Sequence, residues 1–282
     1  MIRARMLVLG AVVAAALAGI VVLAGGTLPW TEGSSSPDCD IPETVSGTAA
    51  SAASAPGGGG VKVVEQGFTQ EPNSAVSIGA VLENTGGVVA YRTQVTFKLF
   101  DAAHTELPDA GKPGLTVEIP VILPGQRIGT GSGAYRGTPV ASVEVGLGMT
   151  TWQPRDTFGK AFSPVTAGYL RTARFNPRIP TSVDIHYREV SSNCRSLDNR
   201  LTAVVFRDAA GKIVGGDVAA PDTPIIFRDE HGKDLGGDWQ RPASPSCSQG
   251  ERETWIVPPG GEPPTADDAR TTIFPYCDIA VR

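Results

Sequence analysis

Between residues 88 and 100 the chain alternates faces. Tyr91, Thr93, Val95, Phe97 and Leu99 share one side, and Arg92, Gln94, Thr96 and Lys98 the other. That period of two is the signature of a strand with one buried face. Shorter runs of the same kind fall at 61–64, 76–82, 115–122, 128–135 and 140–152. Between them stand Asn84-Thr85-Gly86-Gly87, Leu123-Pro124-Gly125-Gln126 and Arg136-Gly137-Thr138-Pro139, which carry Pro and Gly where turns require them. No capped apolar pattern of helical period interrupts them. Strands at this spacing predict a β-sandwich over 61–155. Further strand patterns at 182–190, 201–207, 224–228, 253–257 and 271–281 predict a second all-β domain over 165–282. A Gly-, Ser- and Pro-rich loop from 234 to 250 is long for such a domain.

The N-terminal stretch follows another pattern. From Met6 to Gly25 no side chain is polar, and the twenty residues would span about 30 Å as a helix, the thickness of a hydrocarbon core. Arg3 and Arg5 precede this run, whereas Glu32, Asp38, Asp40 and Glu43 follow it, which predicts a cytoplasmic N-terminus. Residues 1–30 therefore read as a signal-anchor or transmembrane segment of a bacterial-type plasma membrane. Val22-Leu23-Ala24 also suits a signal peptidase, so cleavage after Ala24, giving a secreted protein, is the alternative. Residues 31–60, dominated by Ser, Gly, Ala, Pro and Thr, read as a disordered linker that lifts the rest off the bilayer.

Composition agrees with many short strands: the chain has 34 Gly and 23 Pro, and only 6% of it is aromatic. Its formal charge of -5, without a basic stripe, argues against nucleic acid as a partner. The four cysteines, Cys39, Cys194, Cys247 and Cys277, all follow the apolar segment and so are expected in an oxidising compartment. None forms a C-x-x-C pair. Three connectivities are open; Cys194 with Cys277 is the preferred bridge, with Cys39 and Cys247 as further participants.

An internal repeat punctuates the second region. Val204-Val205-Phe206-Arg207-Asp208-Ala209-Ala210-Gly211-Lys212 recurs as Ile225-Ile226-Phe227-Arg228-Asp229-Glu230-His231-Gly232-Lys233, and each copy is followed by Gly-Gly-Asp. Both suit a hairpin in which the aspartate caps the turn and the glycine takes a positive φ.

Candidate chemistry is sparse. His104, His186 and His231 stand in no metal-ligand spacing. Ser132 lacks the G-x-S-x-G context of a hydrolase. Gly129-Thr130-Gly131-Ser132-Gly133-Ala134 resembles a dinucleotide loop only superficially, with no helix after it. No cofactor is expected. Asp229, Glu230, Asp234 and Asp238 place four carboxylates within ten residues, enough oxygen to consider calcium, although the spacing is not that of an EF-hand. Among the aromatics, Trp239 in the long loop is the candidate partner contact, while Trp152 and Trp255 in strands read as core.

Phe97-Lys98-Leu99-Phe100-Asp101, with Gly79, Asn84, the Leu123-Pro124-Gly125 turn and a closing strand at 143–152, resembles the FxLYD-type immunoglobulin-like domain of bacterial surface proteins. Phe100 replaces the motif's tyrosine. Phe206-Arg207-Asp208 with Gly211 and Lys212 aligns as a divergent second copy in which Arg207 departs from the aromatic. The resemblance implies two tandem immunoglobulin-like β-sandwich domains without catalytic residues. The expectation is thus a membrane-tethered, non-enzymatic protein of the cell envelope that binds another envelope protein or glycan, the alternative being a calcium- or small-ligand-binding module.

Overall fold

The first eight strands are β1 (Ala49–Ser51), β2 (Val61–Gln70), β3 (Ala75–Asn84), β4 (Val89–Phe100), whose period-two sequence buries one face, β5 (Leu115–Ile122), β6 (Arg127–Tyr135), β7 (Ser142–Leu147) and β8 (Met149–Gln153). The computed structural model describes residues 39–71, 75–107, 115–135, 138–174, 183–219, 227–228, 234–236 and 247–279. Two antiparallel sheets result. The first runs β1-β8-β4-β5, with β7 also paired to β4, and the second runs β2-β3-β6. Their facing sides share one core. Val76, Ile78, Ala80 and Leu82 of β3 meet Val95, Phe97 and Leu99 of β4 and Val117 and Ile119 of β5. Each large side chain removed from water in this way contributes about 1.5 to 3 kcal/mol.

The remaining strands are β9 (Thr166–Arg174), β10 (Val183–Ser191), β11 (Asp198–Arg207), β12 (Ile213–Ala219), β13 (Phe227–Arg228), β14 (Asp234–Gly236), β15 (Gly250–Ile256) and β16 (Thr272–Asp278). They form a third sheet, β15-β10-β9, a fourth, β12-β11-β16, and a two-stranded ribbon, β13-β14, every pairing being antiparallel. The third and fourth sheets enclose a core of Val183, Ile185, Tyr187, Val204, Phe206 and Ile256. The all-β expectation is met. Among the described residues no helix is long and apolar enough to cross a membrane; Met6 to Gly25 lies outside them.

Three differences from the expected strands have local causes. The run at 140–152 breaks at Gly148, whose N–H binds Gln94 O at 2.9 Å, so that β7 and β8 pair with successive stretches of β4. β9 carries small and polar residues whose alternation leaves almost no apolar pattern. β12 contains Gly215, Gly216 and Asp217, residues that ordinarily end strands.

The linker expected at 31–60 is corrected by its second half. Residues 39–60 belong to the folded body: β1 pairs with β8 through Ala49–Thr151, Ala50–Thr150 and Ser51–Met149, and Ala52 and Ala55 are buried. The Gly57 to Gly60 run, at positive φ throughout, turns the chain from β1 into β2. Glycine supplied a tight reversal, not looseness.

Asp101 and Asp208 build the same turn. Asp101 Oδ1 accepts from Ala103 N and Thr105 N, both at 2.8 Å, and Asp208 Oδ1 accepts from Ala210 N at 3.0 Å and Lys212 N at 2.9 Å. The fourth residue is left-handed in each, His104 with φ of 60° and Gly211 with φ of 84°. In the second repeat copy, Phe227 pairs with Gly236 and Arg228 with Asp234; the turn between them lies outside the described residues.

The second and fourth sheets meet where side chains are missing. On β6, Ile128 and Ala134 face the first core, while Gly129, Gly131 and Gly133 face the fourth sheet. A Cβ on Gly129 would run into the Phe274 ring, one on Gly131 into the backbone of Gly216 and Asp217, and one on Gly79 into the carbonyl of Gly215. Ser77 Oγ accepts from Gly216 N at 3.0 Å, and Thr69 Oγ1 donates to Val214 O at 2.6 Å, so backbone is hydrogen-bonded directly to the neighbouring sheet. Val81, Val205 and Ile213 fill the remaining gap. Residues Ser35–Arg282 accordingly form one compact unit.

Gly131→Ala is expected to cost about 3 kcal/mol, the upper range for forcing an extra methyl into a packed site. Gly168→Ala, where a Cβ meets nothing within 4 Å, should change stability by less than about 0.5 kcal/mol. Urea unfolding of the two variants checks the pair; equal effects would refute the glycine-lined contact.

Candidate functional site

Where the N-terminal segment, the connection between β8 and β9, and the end of β16 converge, a separate apolar cluster forms from Ile41, Val89, Tyr91, Phe158, Phe162, Leu197 and Ile279. Both disulfides close on it. The preferred Cys194–Cys277 pairing is not formed. Cys39 pairs with Cys194 and Cys247 with Cys277, at Cα separations of 5.6 and 5.7 Å, so every cysteine of the chain is bridged. The reason is topological. Cys277 lies on β16, where Asn199 of β11 is its register partner. Cys247 arrives beside it, held by its N–H on Glu189 Oε1 at 2.6 Å and its carbonyl on Leu197 N at 2.9 Å. Cys194 is left to the returning N-terminal segment. The bridges close 155 and 30 residues, worth about 5 and about 4 kcal/mol on the chain-entropy account.

Polar groups then fix the segment in place. Asp40 accepts from Lys160 N at 2.7 Å and Ala161 N at 2.8 Å, and these two N–H groups hold its carboxyl below its ordinary range. Arg195 donates to Pro42 O at 2.7 Å and to Ile279 O at 2.8 Å, tying the segment to the end of β16. Asn193 exchanges hydrogen bonds with both backbone groups of Ser163, at 2.8 and 2.9 Å.

A buried carboxylate anchors β4 to the fourth sheet. Asp278, fully inaccessible, accepts from Tyr91 Oη at 3.0 Å, Arg92 Nη2 at 3.1 Å and Arg200 Nη2 at 2.8 Å. Arg92 has φ of 56°, a left-handed conformation inside a strand, at the point where β4 changes partner from β8 to β7. Opposite it, between the Tyr91–Val121 and Thr93–Ile119 pairs, stands Pro120, which has no N–H to give the ladder. The strain is retained because it aims the guanidinium at Asp278. Burial, and after it the charge of Asp278, push the Tyr91 hydroxyl up to about 12, so it stays a donor at any ordinary pH.

Asp217 is the second buried acid. Projecting from β12 into the glycine-lined contact, it accepts from Gly260 N at 2.6 Å, Val218 N at 2.8 Å and Gly133 N at 3.1 Å. Burial raises its carboxyl to about 6, against the downward pull of these three N–H groups.

The arrangement holds geometry; its ionised groups are spent on each other and on backbone. Beside it lies a cavity of about 30 Å³ lined by Pro120, Val121, Leu123, Phe162, Pro275 and Tyr276, room for about one water and well below the ~300 Å³ of a small-molecule site. Among the described residues no group of three His, Cys, Asp or Glu is placed to hold a metal ion.

Of the residues singled out in the sequence, Asp229, Glu230, Asp238 and Trp239 lie outside the described residues, and Asp234 starts β14. His104 is exposed in its turn and stacks on Phe100 at 4.6 Å. His186 is buried, with Nδ1 3.2 Å from Glu253 Oε1 and its ring 6.3 Å from Trp255. Burial, then Arg171, lowers its pKa. Ser132 is buried within β6, and Gly129 to Ala134 form a strand rather than a phosphate loop. Trp152 and Trp255 are half-buried, less enclosed than expected; the Trp152 indole donates to Ser51 O at 3.1 Å. Asp217 stood in the repeated Gly-Gly-Asp, which gave no sign of its burial, and Asp278 escaped the sequence reading, since an isolated aspartate in a strand carries no pattern of its own.

No protein-family model matches the chain, and neither a curated protein nor a solved structure is significantly similar to it.

Two outcomes follow from the buried acids. Asp278→Asn should lower stability by about 3 kcal/mol, because Arg200, itself largely buried, loses the fully buried one of its two counter-charges and keeps only Asp198; a change below about 1 kcal/mol in urea unfolding would refute that role. Asp217 binds its proton more tightly folded than unfolded, so its contribution is complete below about pH 4 and is lost as pH rises through about 6, a decline of roughly 3 kcal/mol. Asp217→Asn should remove that decline, read as the difference between the two proteins' stability curves from pH 4 to 7.

Proposed function

We propose that the chain is an extracytoplasmic protein of the bacterial cell envelope, anchored in the plasma membrane by Met6 to Gly25 with a cytoplasmic N-terminus. It works by binding another envelope protein or glycan, not by catalysis. The observation that carries this reading is the pairing of all four cysteines in two disulfides around one junction. Such bridges persist outside the cytoplasm and are kept reduced within it. The matched Asp101 and Asp208 turns, each at the end of a central strand, favour two immunoglobulin-like sandwiches of common ancestry, the first of FxLYD type. The buried charges, engaged with one another and with backbone, favour a scaffold.

The compartment is tested by acid-trapping the full chain in intact cells and alkylating it with a maleimide polymer. No mass shift is expected without reductant, and four additions after denaturation and reduction. Additions without reductant would overturn the assignment. Protease added to spheroplasts should digest everything after the apolar segment; full protection would do the same. Crosslinking in intact envelopes is expected to give discrete adducts of the full chain, and monomer alone would remove the binding role.

A further inference from the structure

The two disulfides are not equivalent. Cys247 is fully buried and Cys277 nearly so at 8% exposure, whereas Cys39 and Cys194 are only partly buried. Each end of this more accessible bridge is also held differently. Cys194 lies between Asn193 and Arg195, whose side chains are anchored to Ser163, Pro42 and Ile279. Cys39 opens a strap, the segment from Cys39 to Ser51, which crosses from the second pair of sheets to the first.

That strap is attached from outside both cores. Its contacts include the Asp40 carboxylate on two backbone N–H groups, the Pro42 carbonyl on Arg195 at 2.7 Å, Ile41 and Val45 in the junction cluster, the Ser46 carbonyl on Gln153 Nε2 at 2.8 Å, the Ser51 carbonyl on the Trp152 indole, and three register pairs of β1 with β8. No core residue of either main sandwich comes from it before Ala52. It can therefore leave its seat by local opening without unfolding the sheets behind it.

We propose that the Cys39–Cys194 bridge is a reversible latch: a dithiol opens it selectively and frees the strap from the second pair of sheets, while the Cys247–Cys277 bridge and both cores stay intact. The inference rests on the compartment assigned above, where dithiol reductants and oxidants meet such bridges. In the reaction a thiolate of the dithiol attacks one sulfur of the bridge, and the other leaves as a thiolate and takes a proton. The second thiol of the dithiol then displaces the mixed disulfide. Cys39 and Cys194 end as two thiols and the dithiol as a disulfide, two electrons having passed to the protein. When the strap re-seats, Asp40 and Arg195 return Cys39 to Cys194, so an oxidant re-forms the same pair.

The test treats the oxidised full chain in detergent with graded dithiothreitol, traps thiols with N-ethylmaleimide and maps the labelled peptides. Cys39 and Cys194 should be labelled roughly tenfold faster than Cys247 and Cys277, since exposed bridges are the labile ones. After labelling, amide exchange at Lys160, Ala161 and β1 should rise by about tenfold, while β4 and β11 stay protected. Simultaneous reduction of both bridges, or unchanged exchange in the strap, would overturn the latch. All four cysteines free in untreated, acid-trapped cells would instead contradict the compartment and leave the order of reduction standing, so the two failures are told apart.

Discussion

Sheets packed face to face ordinarily stand about 10 Å apart, because both contribute side chains to the gap. Between the second and fourth sheets that gap is largely closed. Gly67, Gly79, Gly129, Gly131 and Gly133 on one side approach Ile213, Gly215 and Gly216 on the other, so that hydrogen bonds run between a strand of one sheet and the backbone of the next. Glycine weakens a strand by roughly 0.5 to 1 kcal/mol relative to alanine, and five of them on one surface are a sizeable local cost. The return is a close contact, since the carbonyls of Ile213 and Gly215 sit where a Cβ of Gly67 or Gly79 would be. Both pairs of sheets belong to one compact unit.

Burial also explains the two enclosed acids. N–H groups and guanidinium groups that point inward need acceptors from the protein itself. Asp217 answers three backbone donors; Asp278 answers two arginines and a tyrosine. The two solutions differ in electrostatics. Asp278 is surrounded by guanidinium groups, whereas Asp217 meets only dipoles, and burial raises its carboxyl to about 6. The second of these acids thus responds to mild acid.

How much of this was legible depended on whether a residue's reason was local. The strand faces of β4 and the Asp208 turn follow from neighbours two to four positions away, and both stood in the sequence. So did the glycines of β6, but their meaning did not: Gly129, Gly131 and Gly133 recur with period two, which in a strand strips one face of side chains, and that reading requires knowing that another backbone lies opposite. Without the partner sheet they resembled a nucleotide loop. The disulfides failed for a similar cause. Three of the four cysteines lie in the last ninety residues, which favours Cys194 with Cys277 and leaves Cys39, in a stretch of linker composition, only as a further participant. Composition reported the strap's lack of a core of its own; it could not report that the strap lies on two cores already made.

That misreading bears on what lies before Cys39. Read as a linker, thirty residues of flexible coil would reach roughly 30 Å. Residues 39–60 are instead bound to the folded body, with Cys39 at their start bonded to Cys194. Tension arriving from the N-terminal side passes through the disulfide into the loop after β10, and the three register pairs of β1 with β8 are spared. A bridge placed at Cys39 is therefore a mechanical decision as much as a thermodynamic one. It transfers the point of attachment from the first pair of sheets to the second, across an interface that glycine has already made too close to yield.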